Sequence, residues 1–394
     1  MEHKVLFSAS TYSHIANFHR PYLREFRRLG WRVDIACGGE PREIPEADRA
    51  IHIPFEKSMT SLNNFAAARA LRREIRRERY DLISCHTSLA SFFVRLAVLG
   101  LRRRPKVACI SHGYLFDEHT PLLKRLLLSS AEQVTAPVTD LLMTMNDWDD
   151  AYAFEHQLGK QVFKIPGIGV DFSHLRRYSR REGSLLRRRF GFDESNFLLI
   201  YPAEFSPRKS QRDVIRAMKF LPDHVGLLLP GVGELRDECM KLADDMGLSD
   251  RVIFPGYVSD MPLWYAAADA AVSSSRSEGL PFNVMEALYF GLPAVVSDVK
   301  GNSDLVQDGI NGYRFPYGDS QACAAQIMRL LQAGSMDKMR AAARELVKPY
   351  DLSIVFPQVM AHYGALAPLQ QEAEAHPSGP LTGPNAGGSR RRFD

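Results

Sequence analysis

The sequence predicts an α/β chain built as two doubly wound, Rossmann-like domains facing each other across a cleft. Three observations predict it. Short apolar runs alternate with longer helical patterns over residues 4–159, and again over 196–298. The two series are separated by FKIPGIGVDFSHL (163–175), which proline and glycine interrupt three times. The segments following the apolar runs are rich in hydroxyls, histidines, glycines and carboxylates, as befits loops at the carboxyl ends of parallel strands, where such sheets bind ligands. A chain of 394 residues is also too long for one compact core.

Taken in order, KVLFSAS (4–10) reads as a strand and NFHRPYLREFRRLG (17–30) as a helix closed by Gly30. WRVDIAC (31–37) is a strand, FAAARALRREIRRERY (65–80) a helix, and DLISCH (81–86) a strand. SLASFFVRLAVLG (88–100) is a helix, KVACISHG (106–113) a strand ending in a glycine turn, and PLLKRLLLSSAEQV (121–134) a helix. DLLMTM (140–145) and DWDDAYAFEHQLG (147–159) complete the first series as strand and helix. In the second series NFLLIYPAEF (196–205), VGLLLPG (225–231), RVIFPG (251–256), DAAVSSS (269–275) and LPAVVSD (292–298) read as strands, with helical patterns between them. Short strand–helix connections of this kind imply a parallel sheet covered on both faces. The expected domains are 1–168 and 169–365, with 366–394 a proline- and glycine-containing tail with little to bury, expected to be disordered.

Composition narrows the function classes. With 45% hydrophobic and 24% charged residues, the chain is an ordinary globular one. No apolar run reaches the roughly 18 residues of a membrane span. The start, MEHKVLFSAS, lacks a signal-peptide core, so a cytoplasmic location is expected. Five scattered cysteines without a C-x-x-C pair argue against a disulfide framework or a zinc-ribbon site. Residues 1–168 hold 24 Lys and Arg against 19 Asp and Glu, so the net charge of +4 comes from the N-terminal half. Its arginine runs, RALRREIRRER (69–79) and LRRRPK (101–106), and a later one, LRRYSRREGSLLRRRF (175–190), suit solvated helix faces or an anionic lipid surface. They lack the interleaved aromatics and the motifs of a nucleic-acid binder, so no nucleic acid is expected as partner.

The most informative stretch is RSEGLPFNVMEALYFGLPAVVSD (276–298). Glu278 falls in the loop after a strand. Gly279, Leu280 and Pro281 lead the backbone into a helix that starts at Phe282 or Asn283, and Glu286 lies about one turn inside it. A helix N-terminus presents N–H groups to an anion such as phosphate. A carboxylate accepts hydrogen bonds from a vicinal diol. Together these suit a sugar nucleotide, whereas the plainer reading is a helix dipole partner and an ordinary helical residue.

This stretch resembles the E-x7-E motif of retaining glycosyltransferases of family 4, which have the GT-B architecture. Further segments are similar to the bacterial capsule and exopolysaccharide branch: SHIANFHRPYLREFRRLGWRVDIAC (13–37), YDLISCHTSLASFFVRLA (80–97), SHGYLF (111–116), IPGIGVD (165–171), AEFSPRKSQ (203–211) and DLVQDGINGYRF (304–315). The resemblance implies an N-terminal acceptor-binding and a C-terminal nucleotide-sugar-binding domain. It places Glu278 against the donor sugar, Glu286 on the ribose diol, and Lys209 on the donor diphosphate. His112 would contact the sugar near its anomeric centre, and Ser13 and His14 would face the acceptor or the donor phosphate. Where many members have arginine in G-R-L-x-x-x-K-G, this chain has Glu204, and Arg208 is the candidate for the missing charge. The implied donor is a UDP-sugar, no cofactor or metal is required, and the acceptor is a glycan or an undecaprenyl-diphosphate-linked saccharide. Peripheral contact with the inner face of the membrane is implied through the arginine runs and LLKRLLLSS (122–130).

Three motifs compete with this reading. Asp147-Trp148-Asp149 spells D-x-D, but it opens a helix after Asn146, a natural N-cap. Gly231-Val232-Gly233 imitates a dinucleotide fingerprint whose third glycine is Arg236, so a phosphate-proximal loop containing Gly231 is the better expectation. His86 and His112 follow neighbouring strands, yet no third ligand stands at zinc-site spacing. The alternatives to a transferase are a sugar-nucleotide epimerase or hydrolase of the same architecture, and a non-catalytic subunit supporting a partner transferase.

Overall fold

The computed structural model describes residues 2–56, 61–367 and 369. They form two compact units. One comprises the residues up to Ile168 together with those from Phe356 onward, and the other is Gly169–Val355.

The first unit is built on a seven-stranded sheet of order β3-β2-β1-β4-β5-β6-β7. The strands are β1 (Lys4–Ala9), β2 (Arg32–Cys37), β3 (Arg49–His52), β4 (Leu82–His86), β5 (Lys106–Ile110), β6 (Leu141–Thr144) and β7 (Val162–Lys164). Every pairing is parallel. Strand alternation sends neighbouring side chains to opposite faces. Leu6 joins Ile83, Val107 and Leu71 in one core, while Phe7 packs on the other face with Phe26, ring centroids 5.6 Å apart.

The second unit carries a six-stranded sheet of order β10-β9-β8-β11-β12-β13, also all parallel. Its strands are β8 (Phe197–Ile200), β9 (Val225–Pro230), β10 (Val252–Gly256), β11 (Ala270–Ser273), β12 (Ala294–Ser297) and β13 (Gly312–Phe315). In each sheet the order reverses beside the first strand of the series, between β1 and β4 and between β8 and β11. Loops leaving the carboxyl ends of those strands diverge and leave room for a ligand.

The structure departs from the sequence expectation at several places. β3, β7 and β13 are edge strands whose residues, RAIH, VFK and GYRF, give no continuous apolar run. The helix expected over 17–30 is two helices, Tyr12–Phe18 and Arg20–Arg28, because Pro21 favours a new first turn and cannot continue the old ladder. The expected second domain, 169–365, loses its last residues to the first unit. The final helix, Leu352–Leu366, contains Pro357, and from Phe356 it packs with the first sheet. Phe356 lies 5.2 Å from Tyr22, and the Tyr363 hydroxyl is 2.6 Å from Ser84 Oγ. Of the tail expected from residue 366, only 366, 367 and 369 lie among the described residues.

The arginine runs are only partly solvated. Arg72 donates to the carbonyls of Ala97 and Leu99, Arg104 grips Asp140 through both terminal nitrogens, and Arg187 is buried against Asp269 at 2.6 Å. These side chains join elements within their own units and are spent there.

Candidate functional site

The predicted carboxylate and cations of the second unit meet at the reversal point of its sheet. β8 delivers the loop 201–210 and β11 the loop 274–281. Two backbone-level ties lock these loops: Arg276 N donates to Arg208 O at 2.8 Å, and Ser274 Oγ to Ser210 O at 2.8 Å. Tyr201, fully buried at the end of β8, donates to Lys209 O and lies 2.8 Å from Ser275 Oγ. On this frame Lys209 Nζ donates to Glu278 Oε1 at 2.5 Å, and Arg208 Nη1 donates to Glu278 Oε2 at 2.7 Å. Lys209 and Glu278 are 9% and 7% exposed, so the pair is largely withdrawn from water.

Electrostatics follow from that placement. Burial alone would raise the Glu278 carboxyl, but Lys209 and Arg208 outweigh it and hold it below the usual carboxylate range. Burial draws the Lys209 ammonium down, with the Glu278 charge opposing. Arg208 therefore turns toward the site, although half of its side chain remains exposed. Glu204 is exposed, and its carbonyl accepts from Gln211 Nε2.

Glu286 stands apart from this group. Tyr265 OH donates to its Oε2 at 2.9 Å, and no hydrogen bond engages Oε1 among the described residues. Burial raises the Glu286 carboxyl, the Tyr265 bond opposing. The partners of Glu286 and of Glu278 share no residue. The link is the helix Phe282–Tyr289 itself, anchored where Asn283 Nδ2 donates to Pro202 O in the β8 loop. Leu280 and Pro281 are buried at its start, and no side chain caps that N-terminus.

The glycines have packing reasons. At Gly231, after β9, a Cβ would lie 2.0 Å from the carbonyl of Ala203, so this loop rests directly on the β8 loop. At Gly301 (φ +82°) a Cβ would meet Gly279 O at 2.7 Å, so the loop after β12 supports the turn carrying Glu278.

The first unit repeats the pattern. The loops after β1, β4 and β5 are tied where Ser10 N donates to Thr87 Oγ1 and Ser88 Oγ donates to Gly113 O. Thr87 holds a left-handed φ of 62°, an uncommon strained conformation that marks this junction. Thr11 caps the first helix by accepting from His14 N, and its hydroxyl lies 3.0 Å from Ser13 Oγ. His14 Nε2 lies 3.4 Å from His112 Nε2. The pair is joined by His19 and His86, both fully buried and 3.8 Å apart by ring centroids. Desolvation lowers the His14 imidazole to about 4 and pushes His19, His86 and His112 well below the ordinary histidine value. Beside His86 and His112 the sequence spacing offered no third ligand; the fold brings up His14 and His19 from another segment. Three of these residues, His14, His19 and His112, place ring nitrogens within 4.8 Å of one another.

The D-x-D segment is built into the fold. Asn146 accepts from Asp149 N as N-cap, the buried Asp149 accepts from Tyr114 N, and Asp147 pairs with Lys164. Sequence reasoning missed Tyr201, Ser275, Tyr265, Asn283 and His19. Only His19 left a signal, as the second histidine of SHIANFH.

Comparison with known proteins agrees with this fold. The family model "Glycosyltransferase Family 4" matches residues 22–144, and "Glycosyl transferases group 1" matches 184–346. The chain is 35% identical over 335 residues to "Putative glycosyltransferase EpsD" of Bacillus subtilis (strain 168), covering 84% of this chain and 88% of that one. It is 25% identical over 332 residues to the UDP-Gal:alpha-D-GlcNAc-diphosphoundecaprenol alpha-1,3-galactosyltransferase of Escherichia coli, covering 80% and 85%. In fold it is similar to Anabaena Alr3699/HepE, solved with UDP and glucose, at a TM-score of 0.73 and 20% identity over 93% of this chain and 100% of that one. It is similar also to sucrose-phosphate synthase of Thermosynechococcus elongatus, at 0.76 and 19% over 93% and 99%. The chain belongs to glycosyltransferase family 4, is a glycosyltransferase, and has the GT-B fold.

Proposed function

We propose that this enzyme transfers a sugar, with retention of anomeric configuration, from a UDP-linked donor to a hydroxyl of a glycan on an undecaprenyl diphosphate carrier, in cell-surface polysaccharide synthesis. The observation that carries the reading is the Arg208–Glu278–Lys209 group, two cations and a carboxylate fixed at the reversal point of the second sheet. The lipid-diphosphate acceptor and UDP donor in the name of the Escherichia coli relative, and the UDP and glucose bound to HepE, support the substrate class.

In this reading the second unit binds the donor. Lys209 and Arg208 bind the diphosphate, where negative charge grows as the glycosidic bond breaks, so fixed cations stabilise the transition state more than the ground state. The uncapped N-terminus of Phe282–Tyr289, reached through Gly279, Leu280 and Pro281, adds backbone donors, and the Gly231 loop lies beside the β8 loop. Glu286 accepts the ribose hydroxyls through Oε1, while Tyr265 holds Oε2. Glu278 orients the sugar hydroxyls and, without donor, keeps Lys209 in place. The acceptor hydroxyl attacks the face the phosphate leaves, and the leaving phosphate takes its proton. These cations supply the charge that a metal would otherwise bring, so the transfer is metal-independent. Ser13, His14 and His112 belong to the acceptor-side unit, His112 acting on the sugar.

Peripheral membrane contact is part of the proposal. On the helix Leu122–Thr135, Leu122, Leu123, Leu126 and Leu127 are all more than half exposed, next to Lys124 and Arg125. No described helix is long and apolar enough to cross a membrane. An apolar stripe with basic neighbours suits the surface of an anionic leaflet.

The test is transfer by the purified full chain from a panel of UDP-sugars to lipid-linked acceptors, with product configuration read by NMR. Donor-dependent transfer with retention, abolished in Lys209→Met, is expected. Donor consumption without acceptor, or an inverted product, would remove the proposal.

A further inference from the structure

Four histidines of the first unit form a group, in which the transfer proposed above places His112 on the sugar and leaves the buried His19 and His86 unused. Four imidazoles from three segments converge: His14 and His19 from the broken first helix, His86 from the end of β4, and His112 from the loop after β5. No carboxylate is hydrogen-bonded to any of them among the described residues. His19 is fully buried, and neither of its ring nitrogens has a hydrogen-bond partner; Nδ1 of His86, equally buried, also has none. A buried polar atom left unpaired costs about 1–3 kcal/mol, so three in one cluster point to a missing partner. His14 and His112 are partly exposed, which gives that partner a way in.

We propose that His14, His19 and His112 form a binding site for a divalent transition-metal ion that favours imidazole ligands, zinc first. Zinc–imidazole bonds of about 2.0–2.1 Å set the nitrogen-to-nitrogen edge of a tetrahedral site near 3.4 Å. The His14 Nε2 to His112 Nε2 distance is 3.4 Å. The third nitrogen lies within 4.8 Å of both, so shifts of the ring nitrogens of up to about 1.4 Å close the set. Three nitrogen ligands leave a fourth position for water or a small anion, and the absence of hard oxygen ligands disfavours magnesium and calcium. His86, stacked on His19, confines its ring. His14 lies within the first helix and His19 closes it, its N–H donating to Ile15 O, so both come from the one helix that follows β1. Bound metal would withdraw His112 from the sugar contact proposed above.

The experiment uses the full chain, stripped with chelator, titrated with zinc by calorimetry and with cobalt by visible absorption. One equivalent of zinc is expected, with a cobalt spectrum of four- or five-coordinate nitrogen ligation and a rise in Tm on zinc addition. His14→Ala and His19→Gln should each weaken zinc binding at least tenfold, whereas His119→Ala, an exposed histidine outside the group, should leave it unchanged. If His19→Gln does not fold, the partly exposed His14→Ala decides alone. No stoichiometric uptake, or uptake unchanged in His14→Ala, overturns the proposal and leaves the unpaired nitrogens to ordered water. These readouts do not involve transfer, so absence of zinc binding leaves the proposed function untouched, whereas bound zinc occupies His112 and should slow transfer.

Discussion

Replacing Lys209 by methionine removes one charge from the proposed diphosphate site with little change of volume. In the ligand-free chain Lys209 spends its charge on Glu278 at 2.5 Å, and Arg208 holds the other carboxylate oxygen at 2.7 Å. The substitution thus has two effects on a nucleoside diphosphate. It deletes a charge-assisted hydrogen bond, worth about 1.5–3 kcal/mol, and it leaves Glu278 half-neutralised and facing the incoming anion. At 1.4 kcal/mol per decade the first effect alone weakens UDP about 10- to 150-fold, and the second places the result in the upper part of that range. Glu278→Gln separates the two: it frees Lys209 from a competing acceptor, so UDP should bind as tightly as to the wild type or more so while sugar transfer falls. Calorimetric titration of UDP into the three proteins reads both. Unchanged UDP affinity in Lys209→Met, or a loss in Glu278→Gln as large as in Lys209→Met, would refute the reasoning.

Other consequences follow from the same contacts. Arg187→Ala leaves Asp269 buried beside the more distant Arg180 and Arg340, and should cost up to about 3–5 kcal/mol in urea unfolding of the second unit without changing UDP contacts. Glu286 is raised by burial, so its folded-state carboxyl takes up a proton above the ordinary glutamate range. Ionisation therefore opposes folding: the stability it lends is full at pH below the unfolded value and is lost as pH rises through the folded one. UDP affinity should fall with acidification through that folded value, and Glu286→Gln should flatten the profile. Gly231→Ala forces a Cβ to within 2.0 Å of Ala203 O, so the β8 loop must move; a lowered Tm together with weaker UDP binding is expected. Leu123→Glu on the exposed stripe of Leu122–Thr135 should reduce co-sedimentation with anionic vesicles and leave UDP binding intact.

The long central strands were legible because their apolar runs are unbroken and bounded by glycine or polar turns, as in KVLFSAS and VGLLLP. The edge strands β3, β7 and β13 were not, since RAIH, VFK and GYRF interleave charged or small residues with apolar ones and give no continuous apolar run. The boundary of the last helix was hidden because both of its halves are equally apolar, and only the ring contacts of Phe356 and Tyr363 show which sheet they serve. In the candidate site Glu278 and Glu286 stood out as charges in an apolar, glycine-punctuated stretch, and Lys209, in the polar run SPRKSQ, only through the family resemblance. Tyr201 and Tyr265 did not, because a tyrosine at a strand end or on a helix reads as core until its hydroxyl is seen to hold Lys209 O or Glu286. The arginine runs misled in part: Arg72, Arg104 and Arg187 look like surface charge in sequence and are internal ties in the fold.

The central claim is that one surface of the second unit grips a UDP-sugar through Lys209 and Glu286. A crystal structure of the full chain with UDP tests it most directly. The account predicts diphosphate oxygens within about 3 Å of Lys209 Nζ and the ribose hydroxyls on Glu286. UDP bound with its ribose away from Glu286 and its phosphates away from Lys209 would contradict it.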